Sequence, residues 1–247
     1  MASTRVTESV TDLTRAGGTV DRFFDRLHLW LVRQLAFGRP VTRDQIGQAA
    51  ARLTGDPVRA VALLDAHTEH NDVGEITGLG LTLNPTAHQV TIDGTRMWAW
   101  CAMDCLELAV LLDKQITVYS QPPGPGGAVR LQASPDGVSG VSPAEAVITM
   151  PVRFSDQLDL DSPEAIWASL CHYSLFFPSR SHAGQWVAGR DDIEILPLAE
   201  APRCSWRSIA AASSQAAAKP SAKGRISMSS RPAAHCPAWE REEKNRL

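Results

Sequence analysis

The chain has 247 residues, 44% hydrophobic and 21% charged, with a formal net charge of −3. That is enough for one sizeable core, and no run approaches the roughly 18 apolar residues of a membrane-spanning helix. From residue 201 onward there are nine Lys/Arg and three Asp/Glu, a net of +6, whereas the first 200 residues carry 15 basic and 24 acidic side chains, a net of −9. An acidic body with a basic tail is not the footprint of a nucleic-acid-binding domain, whose cations cluster on a folded face. The opening Met1-Ala-Ser-Thr-Arg-Val-Thr-Glu lacks the apolar stretch of a secretory signal, so a cytoplasmic setting is expected.

In chain order, Val20 to Phe37 reads as a helix, because Phe23, Phe24, Leu27, Leu31 and Leu35 recur at three- and four-residue spacing. Gly38-Arg-Pro40 ends it. Thr42 caps an expected second helix, Arg43 to Leu53, and Asp56-Pro57 opens a third through about Ala66. Asn71-Asp-Val-Gly74 is turn chemistry, and Ile76 to Leu83 and Gln89 to Ile92 read as strands around Asn84-Pro85. Three short helices and a hairpin suggest a winged-helix-like head.

Met97 to Leu112, apolar nearly all round, is expected to be one buried helix. Gln115 to Ser120 is a strand, Pro122 to Gly127 a loop, and Val129 to Ala133 and Ala146 to Met150 are further strands. Ser162-Pro163 starts a helix toward Ser169. Tyr173 to Phe177 looks extended, Ser179 to Ala188 helical, and Ile193 to Leu198 a last strand. Helices and strands without regular βαβ alternation make the class α+β. From about Cys204 the Ala/Ser/Arg/Pro texture loses apolar pattern and reads as a disordered tail.

Five cysteines, Cys101, Cys105, Cys171, Cys204 and Cys236, are odd in number and scattered, which argues against a disulfide framework. Cys101 and Asp104 stand three apart and would share a helix face among Trp, Ala, Met and Leu. A carboxylate in such surroundings needs a partner or a raised pKa. Two readings follow: a thiol beside a proton-carrying acid in a dry site, or a packing cysteine beside a paired aspartate. Cys171 lies at an expected helix-to-strand junction, next to His172. A zinc reading is weak, since Cys101-xxx-Cys105 has the wrong gap and no second pair accompanies it.

Three stretches resemble the organomercurial (alkylmercury) lyase family. They are Leu35-Ala-Phe-Gly-Arg-Pro-Val-Thr-Arg43 with Gly78-Leu-Gly-Leu-Thr-Leu83; Trp98-Ala-Trp-Cys-Ala-Met-Asp104; and Ser169-Leu-Cys-His-Tyr-Ser-Leu-Phe-Phe177 with Ala183, Trp186 and Glu194 to Ala201. The resemblance covers roughly residues 20 to 202. It implies that Cys101 and Cys171 are the catalytic, mercury-binding cysteines and Asp104 the catalytic aspartate. A further cysteine of some members has no counterpart near Ser120-Gln-Pro-Pro123. Cys105 is extra, and Cys204 and Cys236 are bystanders by default.

The implied reaction is protonolysis of a carbon–mercury bond, giving a hydrocarbon and Hg(II). Mercury is soft and favours thiolates, and Asp104 carries the proton. No organic cofactor is expected. The partners implied are organomercurial substrates, low-molecular-weight thiols and a mercuric reductase, with no nucleic acid and no membrane. Trp98, Trp100, Phe176 and Phe177 are candidates to wall an apolar pocket or to pack the core. The expected layout is a flexible 1–19, a winged-helix-like 20–84, a catalytic 85–202 and a basic tail 203–247. Rival readings are a winged-helix metal-responsive regulator and an inactive mercury-binding protein. The regulator would read DNA with Asp56 to Ala66, where Arg59 stands against Asp56 and Asp65, a poor phosphate-binding face.

Overall fold

The computed structural model describes residues 22–151 and 162–198, with side chains from residue 26 onward. Val20, the side chains of Phe23 and Phe24, Cys204, Cys236 and the expected tail lie outside the described residues.

Helix α1 (Arg22–Leu35) buries Leu27, Leu31 and Leu35 completely. Emptying one of these sites to Ala would cost about 2–5 kcal/mol. Gly38 follows at φ +73, and a Cβ there would meet Thr95 Cγ2 at 2.7 Å, so both backbone and space require glycine. Helix α2 (Arg43–Leu53) starts in a capping box: Thr42 Oγ1 accepts from the Gln45 N–H, and the Gln45 side chain accepts from the Thr42 N–H. Helix α3 (Pro57–Asp65) is capped by Asp56 with Pro57 in its first turn. These three helices pack on one another.

Strands β1 (Glu69–His70), β2 (Ile76–Leu79), β3 (Leu81–Thr82), β4 (His88–Ile92) and β5 (Thr95–Ala99) come next. After helix α4 (Ala102–Leu112), β6 (Ile116–Ser120), β7 (Val129–Ser134) and β8 (Gly137–Ser142) complete an eight-stranded antiparallel sheet. Its order is β1-β2-β3-β5-β4-β6-β7-β8. The inward face carries Val90, Ile92, Met97, Ala99, Ile116, Val118, Val129, Leu131 and Ala133, all buried, and α4 lies across it. A second sheet runs β10-β9-β11, from β9 (Val147–Pro151), β10 (Phe176–Phe177) and β11 (Ile193–Pro197). Between β9 and β11 come α5 (Pro163–Ser169), a 3-10 turn (Cys171–Tyr173) and α6 (Arg180–Trp186). The class is α+β, as expected, with six α-helices among the described residues.

Three expectations need correction, and one strand was not expected at all. Ile76 to Leu83 is not one strand: the chain folds back at Gly80, φ +68, pairing Leu79 with Leu81. Met97 to Leu112 is not one helix. Met97 to Ala99 belong to β5, paired with β3 and β4, and the helix begins only at Ala102. The apolar run is continuous because the strand and the helix both face the same core, so hydrophobicity alone hides the boundary. Tyr173 to Phe177 is extended only at β10, after the 3-10 turn. Strand β8, with Gly137 and Gly140 and no buried residue, carries too little apolar signal to be read from sequence.

Candidate functional site

Cys101 is the N-cap of α4, in extended conformation at φ −147, ψ 176. Its sulfur accepts the Asp104 N–H at 3.5 Å, and the Asp104 carboxylate accepts the Cys101 N–H at 3.0 Å. This is a capping box in which the cap atom is a thiol rather than a hydroxyl. The two residues expected on one helix face therefore meet at a helix start, where the sulfur takes the Asp104 N–H that has no acceptor within the helix. Asp104 also lies against the turn at Gly80, where a Cβ would stand 3.1 Å from Asp104 Oδ1. The Gly80 carbonyl accepts the Trp100 N–H at 2.8 Å.

Cys171 comes from a distant part of the chain, at the start of the 3-10 turn after α5. That turn is tied to α4 by Ser174. The Ser174 carbonyl accepts the Ala102 N–H at 2.9 Å, and its hydroxyl oxygen accepts the Met103 N–H at 3.1 Å. With the Asp104 N–H on sulfur, the first three N–H groups of α4 all have acceptors. The result brings both sulfurs and an Asp104 carboxylate oxygen within 4.8 Å of one another. It is the one such group of three or more potential ligands among the described residues. Cys101 is 0% exposed, Cys171 2%, and Asp104 keeps a partly open edge.

Burial controls the protonation here. It pushes the Cys101 thiol well above its ordinary value, with hydrogen bonding to Cys171 and the Asp104 charge adding to the effect. For Cys171, the hydrogen bond from Cys101 pulls down, while burial and the Asp104 and Glu107 carboxylates push up; the net direction is up. Burial lifts Asp104 to about 6, against hydrogen bonds from Cys101 that favour its anion. Resting thiols are therefore protonated, and a soft cation must displace their protons on binding.

Glu107 was not singled out by the sequence reading. It sits one turn beyond Asp104, and burial, then the Asp104 charge, lifts it to about 8. The available signal was the three-residue spacing of two acids on an otherwise apolar helix. Ser174 was missed as well, since nothing in a serine three residues after a cysteine announces a helix cap.

The remaining candidates fall outside the group. Cys105 is fully buried, its thiol is pushed well up by burial, and it packs in the main core. His172 is exposed and makes tilted or edge-on ring contacts with Trp167, Tyr173 and Trp186, at centroid distances of 5.2, 4.9 and 6.0 Å. Of the four aromatics, Trp100 and Phe176 share the main core with both cysteines, whereas Phe177 packs with Val147 and Ala183 in a separate cluster. Neighbours on a strand point to opposite faces, so Phe176 and Phe177 cannot wall the same hollow. Trp98 lies on the strand face opposite Met97 and Ala99 and is half-buried. At Ser120 the hydroxyl meets His88 Nδ1 at 2.9 Å, and both residues are buried. Burial pushes His88 down to about 4.

Comparison with known proteins agrees with this picture. The family model for alkylmercury lyase matches residues 81–209, which include both cysteines and the aspartate. An alkylmercury lyase of Streptomyces lividans is 36% identical over 193 residues, 77% of this chain and 86% of that protein. One from Pseudomonas putida is 35% identical over 178 residues, covering 72% and 80%. The crystal structure of the mercury-bound form of MerB2 superposes with a TM-score of 0.63 at 19% identity, over 85% of this chain and 99% of that one, a likeness of fold. With identity at this level over most of both partners' lengths, the chain belongs to the alkylmercury lyase family.

Proposed function

We propose that this protein is an organomercurial lyase that cleaves carbon–mercury bonds at Cys101, Cys171 and Asp104. The observation that carries the reading is the mutual approach of two buried sulfurs and one carboxylate oxygen to within 4.8 Å. One sulfur takes the mercury of R–Hg⁺ and releases its proton. The second sulfur joins the same mercury, and its added electron density weakens the bond to carbon. Asp104, ionised above about pH 6, accepts a thiol proton and delivers it to the departing carbon. The balance is R–Hg⁺ plus two thiols giving R–H, a mercury dithiolate and one H⁺. Small thiols, and a mercuric reductase where one is present, then remove Hg(II) from the sulfur pair; no organic cofactor takes part.

In this reading the three N-terminal helices and the strands that follow them make a winged-helix-like head over 20–84, the scaffold for a catalytic unit over 85–202, although the expected hairpin of Ile76 to Leu83 with Gln89 to Ile92 is not formed, because β4 pairs with β5 and β6. Supporting a scaffold role, α1 packs on α4, β2 and β3, so its apolar stripe is spent inside the molecule. A cytoplasmic setting fits chemistry that needs reduced thiols. Among the described residues, no helix is long and apolar enough to cross a membrane.

The test is incubation with phenylmercury and excess small thiol while following benzene. Catalytic benzene release is expected, and its near-abolition in Cys101→Ser and in Cys171→Ser. Bound mercury without benzene would mean a mercury-binding protein instead.

A further inference from the structure

The two sulfurs stand 70 positions apart in sequence, so something must fix their spacing. Cys101 is fixed by the capping box of its own helix, but Cys171 has no comparable local tie. Cys171 belongs to a three-residue 3-10 turn with no side-chain cap. That turn is held from two sides by two hydroxyls, both 0% exposed. On the α4 side, Ser174 accepts the Ala102 N–H through its carbonyl and the Met103 N–H through its hydroxyl. On the β9 side, the Thr149 hydroxyl donates to the Tyr173 carbonyl at 2.8 Å and accepts the Leu175 N–H at 3.2 Å. The Thr149 N–H also donates to the Leu175 carbonyl at 2.9 Å.

We infer that Ser174, braced by Thr149, is a positioning clasp that sets the separation of the Cys101 and Cys171 sulfurs and so lets them chelate one soft cation. The inference rests on the proposed role of the two cysteines. Neither hydroxyl touches the reacting atoms. Each replaces water on backbone groups that would otherwise be free at a helix start and in an irregular turn. Two-coordinate chelation needs both sulfurs held at one spacing, whereas a single sulfur binds a cation wherever it sits. The clasp therefore matters only while both sulfurs are present.

A double-mutant cycle on the full chain tests this. Hg(II), supplied as the chloride, is titrated against dithiothreitol competition, with circular dichroism following the folded fraction. Ser174→Ala should weaken Hg(II) retention at least tenfold in the otherwise unchanged protein, and should have no further effect in a Cys171→Ser background. Thr149→Val should behave like Ser174→Ala, and Thr149→Ser, which keeps the hydroxyl, like the parent. Equal weakening in both backgrounds, or none in the parent, would overturn the clasp. Loss of folding in both Ser174→Ala and Thr149→Val would overturn it too, because the hydroxyls would then be determinants of the fold. Failure of the underlying reading looks different: Cys171→Ser alone would then hold Hg(II) as tightly as the parent.

Discussion

Asp104 and Glu107, one turn apart on α4, are lifted to about 6 and about 8, so at neutral pH the first is mostly ionised and the second mostly protonated. For Asp104 this sets the sign of a pH effect on rate. Below about pH 6 the carboxyl is neutral and cannot accept a thiol proton, so kcat for benzene release should fall as pH drops through 6. Asp104→Asn should lower kcat by about 10²–10⁴ and flatten that limb; a wild-type rate in Asp104→Asn would remove its role. For Glu107 the effect is on stability. Its folded pKa is raised from 4.5, so the folded chain binds more protons than the unfolded one between about 4.5 and 8, and stability falls as pH climbs through that window. Glu107→Gln should therefore stabilise the protein by about 1–3 kcal/mol at pH 8, allowing for a partly exposed edge, and by nearly nothing at pH 4. Denaturant melts at the two pH values check it. Cys105 lies outside the sulfur group, so Cys105→Ser should keep benzene release per folded molecule while losing about 1–3 kcal/mol for a buried hydroxyl.

At the scale of elements, the site is assembled from ends: the start of α4, the turn at Gly80, and the 3-10 turn after α5. The Gly80 turn offers the sharpest test. Gly80 has φ +68, and an added Cβ would press on Asp104 Oδ1 at 3.1 Å. Gly80→Ala should cost about 1–2 kcal/mol in backbone strain and lower kcat with little change in KM, because it displaces the proton carrier and leaves the sulfurs in place. A fall in stability with unchanged kcat would separate the turn from the chemistry. This is also the scale at which sequence reading erred most. Caps and turn residues placed α2 and α3 well, since Thr42 with Gln45, and Asp56 with Pro57, act locally. The start of α4 could not be read that way. Cys101 is an unusual N-cap, and the apolar residues before it satisfy a strand as well as a helix. Cys101 and Asp104 were rightly paired from their spacing, but for a different geometry.

Across the whole molecule, the family match ends at residue 209 and the described fold at 198. A chain truncated after residue 209 should therefore retain benzene release from phenylmercury, with kcat within about twofold; a large loss would give the basic tail a part in the site. The α+β class, most element positions, and the motifs around Cys101, Asp104 and Cys171 were legible because periodicity, caps and short motifs are written within a few residues of one another. Three matters were settled only by folding: that Cys171 reaches Cys101, that the Ser174 and Thr149 hydroxyls bond backbone groups of α4 and of the turn that carries Cys171, and that Phe176 packs in the main core while Phe177 packs in a second cluster. Each depends on which backbone groups remain unpaired once two sheets and a helix have packed. That is a property of the assembled interior, and no local stretch of the chain contains it.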